Sequence, residues 1–296
     1  MKKKSANKIF EGTQYVYSHY SETCRCDMTF AVFLPEESLH RKVPVIWFLS
    51  GLTCTHENAM FKAGAQQWAA EKGVAIIYPD TSPRGENIPN DDSFDLGQGA
   101  GFYLNSTEKP WKENFQMEEY IVTELQSLVF ENLNLNYNRQ GVMGHSMGGM
   151  GALNFAIKNP KQYLSVSAFS PIVNPTESDW GRKQFKSYLG GNVDRWKEYD
   201  PCLLLKSLGT DKEILVDQGT NDEFLELLQP NNFLEKLKKK DFYDLKDMKK
   251  INIVKETTQG NITKNSFIYD FMSSMRQKIN DPLGQRAKKR KEISQR

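Results

Sequence analysis

Gln140-Gly141-Val142-Met143-Gly144-His145-Ser146-Met147-Gly148-Gly149 is the stretch that decides how this chain is read. Gln140 to Met143 suits a short strand, and Met147 to Lys158, full of Gly and Ala, suits a helix. Gly-x-Ser-x-Gly stands between them, at Gly144 to Gly148. Ordinary glycine usage would produce that pentapeptide in about one chain in ten of this size, so its context carries the weight. A strand that stops at a serine, with a helix starting just after it, is the setting of a nucleophile elbow. There the small glycines let the chain fold sharply and the serine hydroxyl projects above the sheet. The plain alternative is a glycine turn with Ser146 as an ordinary N-cap, and the strand-turn-helix setting favours the elbow.

Working outward, Val43 to Leu49 is a solid apolar run without alternation, as in a strand buried on both faces of a parallel sheet. Val74 to Tyr78 is a second such run, and Asn58 to Lys72 between them has helical spacing, which makes a βαβ unit. Upstream, Gln14 to Tyr20 and Arg25 to Leu34 alternate as an antiparallel hairpin around a polar turn near Glu22. Downstream, Asp80 to Lys112 is rich in Gly, Pro, Asn and Asp and reads as a long loop, a feature that is usually functional in a compact domain. Glu118 to Leu133 is helical, Leu164 to Phe169 a strand, and Asn174 to Tyr199, with Trp180, Phe185, Tyr188 and Trp196, an excursion of short helices. Ile214 to Asp217 resumes the strands, Phe233 to Lys240 is a helix, and Ile251 to Val254 is the last strand. Strand and helix alternate throughout, so the fold class is α/β with a mostly parallel sheet. One domain over residues 9–280 is the expected division, with 281–296 a basic tail that has little to bury.

Lys and Arg number 39 against 37 Asp and Glu, a net charge of +2, too balanced to announce nucleic acid or an anionic membrane as partner. The lysines at Lys2 to Lys4 read as a solvated end. Four cysteines, Cys24, Cys26, Cys54 and Cys202, form no Cys-x-x-Cys pair, which points to reduced thiols in a cytoplasm. The four histidines, His19, His40, His56 and His145, make no spaced pair with them, so zinc is not expected. No stretch of about 18 apolar residues and no signal-like apolar core occurs.

A serine hydroxyl attacks only if a base takes its proton and donors stabilise the oxyanion. The Met147 amide at the helix start is one candidate donor. Ser50-Gly51-Leu52-Thr53-Cys54-Thr55 follows the buried strand where such folds supply the second, with Leu52 as its candidate. A plain glycine turn at Gly51 is the alternative for that loop. The acid should follow the serine after a later strand. Asp222, in Gln218-Gly219-Thr220-Asn221-Asp222, is favoured over Asp217, which ends the strand itself.

Several stretches resemble one family: Leu49 to Thr55, Tyr78-Pro79-Asp80-Thr81-Ser82-Pro83-Arg84-Gly85, Gly99 to Leu104, Thr107 to Trp111, Gly144 to Gly149 and Asp217-Gln218-Gly219. The family is that of S-formylglutathione hydrolase, or esterase D, and the resemblance spans about Gly12 to Phe233. It implies an α/β-hydrolase fold, hydrolysis of a small thioester or ester, no cofactor, a cytoplasmic location and commonly a homodimer. By position it makes Ser146 the nucleophile, Asp222 the acid, and Leu52 with Met147 the oxyanion donors. At the base the pattern breaks. Where the family carries histidine in a loop after the last strand, Thr263 stands here, in Gly260-Asn261-Ile262-Thr263-Lys264, and no histidine follows His145. A threonine hydroxyl cannot take the serine proton near neutral pH. Lys264 would need a pKa lowered by several units. His145 reads as a supporting residue of the elbow, and His56 as the one histidine that could approach from elsewhere.

Overall fold

The computed structural model describes residues 1–219, 221–239 and 253–254. Nine strands among these residues form one sheet: β1 (Lys2–Ile9), β2 (Gly12–Ser21), β3 (Cys26–Pro35), β4 (Val43–Leu49), β5 (Ala75–Pro79), β6 (Leu135–His145), β7 (Tyr163–Phe169), β8 (Ile214–Asp217) and β9 (Ile253–Val254). Their spatial order is β1-β2-β3-β5-β4-β6-β7-β8-β9. The first three strands and the β3–β5 contact are antiparallel, and every pairing from β5 to β9 is parallel. The expected α/β architecture with an N-terminal hairpin is therefore present, and Val43–Leu49 keeps its predicted bounds. All seven of its residues except Phe48 are buried.

Two local expectations are corrected. Lys2 to Lys4 are solvated, but they are not a free tail: they belong to β1, which pairs with β2 from Lys2↔Ser18 to Ile9↔Gly12. The turn that folds it back is Phe10-Glu11, both with positive φ (47° and 53°), the geometry of a two-residue hairpin turn. Neither residue type signals such a turn, and the lysines are exposed along the open edge, where charge discourages further strand pairing. The helix expected over Asn58 to Lys72 is two helices, α1 (His56–Lys62) and α2 (Ala65–Lys72), separated by Gly64 at φ 60°. The Thr55 hydroxyl caps α1 by accepting from the Glu57 amide, and Asn58 Oδ1 accepts from the Thr55 amide.

The predicted Glu118–Leu133 helix runs as α3 (Met117–Glu119), a wider π-helical segment (Tyr120–Leu125) and α4 (Gln126–Asn132). From the π segment Glu124 reaches the β2–β3 turn, accepting from the Ser21 hydroxyl (2.8 Å) and from the amides of Glu22 (3.1 Å) and Thr23 (2.9 Å). Helix α5 (Met147–Lys158) keeps its expected bounds and lies between the sheet and the excursion, with Met147 to Ile157 all buried. The excursion carries α6 (Asp179–Leu189) and α7 (Val193–Trp196), and α8 (Pro201–Leu208) follows it. Phe185, Tyr188 and Trp196 are buried there, while Trp180 is half-buried against Phe102, so this stretch is mainly core. Helices α9 (Leu225–Leu228) and α10 (Pro230–Lys239) follow β8, with α10 starting three residues before its predicted start. No helix among the described residues is long and apolar enough to cross a membrane.

Candidate active site

Ser146 sits between β6 and α5 with φ 56° and ψ −117°, a conformation that costs a non-glycine residue about 1–3 kcal/mol and persists only where the surroundings enforce it. They do so through the backbone. The Ser146 amide donates to the Phe169 carbonyl on β7 (2.9 Å), and its own carbonyl accepts from Met150 (3.1 Å) and Ile172 (3.4 Å). The glycines permit the turn by allowing contact that a side chain would block. A Cβ on Gly144 would lie 2.1 Å from the Gly148 carbonyl oxygen, and one on Gly148 would lie 2.0 Å from that of Leu49. Ser146 is thus more than an N-cap: its side chain makes no capping bond to α5 and stays half-buried at the C-terminal edge of the sheet.

The loop after β4 meets the elbow directly. Strands β4 and β6 run in register from Val45↔Gln140 to Leu49↔Gly144, so Ser50 and Gly51 arrive beside His145 and Ser146. A methyl group on Gly51 would be 3.4 Å from Ser146 Cβ and 3.3 Å from His145 Nδ1. The Met147 amide is the first of α5 and has no intrahelical acceptor. The Leu52 amide has no acceptor among the described residues either. Met147 follows Ser146 at a helix N-terminus and Leu52 follows Gly51, the residue that approaches Ser146, and a helix N-terminus suits an anionic oxygen.

Asp222 lies in the loop after β8, at the same sheet edge. Its carboxylate accepts from Gln218 Nε2 (2.9 Å) and from the Phe224 amide (2.9 Å), so both oxygens are held. Gln218 is a partner that the sequence alone did not single out for this role. Asp217 plays a different part. It closes β8 opposite Phe169, its carbonyl accepts from the Ser170 amide (2.7 Å), and burial pushes its carboxyl above the ordinary range. Thr263 and Lys264 lie outside the described residues.

His145 is solvent-exposed, yet desolvation by the protein around the elbow holds its pKa below the usual histidine range; the Asp222 charge pulls the other way. His56, the first residue of α1, directly follows the Ser50–Thr55 loop in the chain and has Nδ1 3.9 Å from Asp80 Oδ2. The Cys54 thiol is pushed up by burial, which makes it a poor thiolate, while its carbonyl accepts from Arg84. No group of three or more His, Cys, Asp or Glu side chains suited to a metal occurs among the described residues.

Known proteins are similar to this chain in sequence and fold. The Esterase family model matches residues 21–258. The S-formylglutathione hydrolase of Paracoccus denitrificans is 57% identical over 226 residues, which cover 76% of this chain and 81% of that protein. The Mus musculus protein of the same name is 49% identical over 238 residues, covering 79% and 84%. Among solved structures, an S-formylglutathione hydrolase from Agrobacterium tumefaciens matches with a TM-score of 0.86 at 39% identity, covering 94% of this chain and all of that one.

Proposed function

The chain belongs to the S-formylglutathione hydrolase family of esterases, and from that premise we propose that it is a serine hydrolase acting on S-formylglutathione. Ser146 Oγ attacks the formyl carbon, and the amides of Leu52 and Met147 hold the oxyanion. Collapse of the tetrahedral intermediate breaks the C–S bond and expels glutathione, whose sulfur takes up the proton given up by the Ser146 hydroxyl, and leaves a formyl ester on Ser146. Water then releases formate. Short acyl esters enter by the same route. Asp222 is the acid that orients and stabilises a cationic base. The protein works in the cytoplasm, in formaldehyde detoxification, as a homodimer. The single observation that supports this reading best is the strained Ser146 turn, with the Gly51 backbone close against it.

The missing imidazole sets the rate. With Thr263 at the family's base position, oxyanion stabilisation and binding alone leave about 10³–10⁴ over water, roughly 10⁶ below a complete triad. A second reading follows from the same residue: a hydrolase-fold protein that binds a glutathione thioester or acyl ligand without turning it over. Hydrolysis of S-formylglutathione by the purified chain, beside Ser146→Ala, separates the two. Turnover that Ser146→Ala abolishes supports the hydrolase and requires a base other than residue 263. Equal rates in both proteins remove the hydrolase reading, and calorimetric titration with a glutathione thioester then tests binding.

A further inference from the structure

Thr53 has φ 62°, the left-handed region that a β-branched residue avoids, so the loop from Ser50 to Thr55 does not hold its shape by itself. Its polar groups are taken up from one side. Tyr103 OH donates to the Ser50 carbonyl (2.7 Å), the Thr53 amide donates to the Gly99 carbonyl (2.9 Å), and the Cys54 carbonyl accepts from Arg84 Nη2 (2.8 Å) and from the Thr81 hydroxyl. All four partners lie between residues 80 and 104, the irregular stretch after β5. The stretch is itself anchored. Asp80, 5% exposed, receives Arg84 Nε (3.0 Å) and the Thr81 amide (2.7 Å) on one oxygen, and the Gly99 amide donates to Ser82 Oγ (2.7 Å). Gly99, at φ 92°, brings its backbone so near that an added Cβ would be 3.1 Å from Thr53 Cα.

We propose that Arg84, aimed by Asp80, and Tyr103 are positioning residues for the oxyanion loop. They fix Ser50 and Cys54 on either side of Leu52 and so point its amide at Ser146. The inference rests on the role given to Leu52 above. Arg84 suits the task because its planar fork serves two acceptors at once, the Asp80 carboxylate and the Cys54 carbonyl; a lysine, a single point charge, does not reproduce that geometry. The long loop then has a physical purpose, as the mould for a strained turn.

The test uses the full chain, with Arg84→Gln, Arg84→Lys and Tyr103→Phe. Its first readout is hydrogen exchange of the Thr53 amide, with the Trp47 amide on β4 as a fold control. The second is kcat and KM on S-formylglutathione. Loosening should speed Thr53 exchange at least about tenfold in Arg84→Gln and Tyr103→Phe with Trp47 unchanged. It should also lower kcat about 10- to 100-fold while KM stays within about twofold, because a displaced donor is missed mainly in the transition state. Arg84→Lys should recover only part of both. Unchanged Thr53 exchange in both Arg84→Gln and Tyr103→Phe overturns the proposal, as does a KM rise at constant kcat. Absence of Ser146-dependent turnover in the unsubstituted chain counts against the hydrolase reading instead, and the exchange experiment still decides whether these side chains hold the loop.

Discussion

Gly148→Ala probes the contact on which the whole site depends. The added Cβ would stand 2.0 Å from the Leu49 carbonyl oxygen, 2.5 Å from its carbon and 2.7 Å from the Ser50 oxygen. Relief needs about 1 Å of movement, because carbon and oxygen in ordinary contact stay above roughly 3 Å. Neither side yields readily. Leu49 is paired with Gly144 in the centre of the sheet, Ser50 is held by Tyr103, and Gly148 lies in the first turn of buried α5. Overpacking usually costs about 1–3 kcal/mol where side chains can give, so a clash with fixed backbone belongs at about 3–5 kcal/mol. Urea unfolding should show that loss as a lower midpoint at an unchanged slope. Gly191→Ala, with no heavy atom within 4 Å of the new Cβ, should stay within about 0.5 kcal/mol in the same assay. A Gly148→Ala protein less than about 1 kcal/mol below the parent would refute the close approach between elbow and oxyanion loop.

Thr263→His should raise Ser146-dependent hydrolysis of S-formylglutathione by at least about 10³-fold, and no gain would show that residue 263 is not the base position. Asp222→Asn should cost little in the parent but remove most of the gain in the Thr263→His background, since a triad carboxylate acts through its imidazole; equal effects in both backgrounds would sink that coupling. Burial opposes ionisation of Glu124, but hydrogen bonds from Thr23, Ser21 and Glu22 outweigh it and hold the carboxyl below its usual range. A depressed folded pKa stabilises above the unfolded value, so Glu124→Gln should cost about 1–2 kcal/mol at neutral pH. That gap should close as pH falls through about 4 and below, and a gap that widens in acid would contradict the assignment.

The parts of this site that were legible in the sequence are those whose chemistry is local. Gly144 to Gly149 must be glycine-rich because of contacts within a few residues and one strand away, and the buried run Val43–Leu49 announces itself by lacking polar residues. Chain order placed Asp222 after its strand, but gave no hint that Gln218 would hold its carboxylate. The clamp was hidden for a different reason. Arg84, Tyr103 and Gly99 act on groups 30 to 53 residues away, through backbone carbonyls and amides that have no identity in a sequence. Strand β1 was hidden because its turn uses Phe10 and Glu11, residues that seldom accept positive φ. These differences bear on the missing base. The Ser146 turn and the loop from Ser50 to Thr55 are held by contacts among residues 49–172. Under the proposed roles, a base is the one group that these contacts do not supply, and a single substitution at position 263 is enough to ask whether the rest of the machinery is sound.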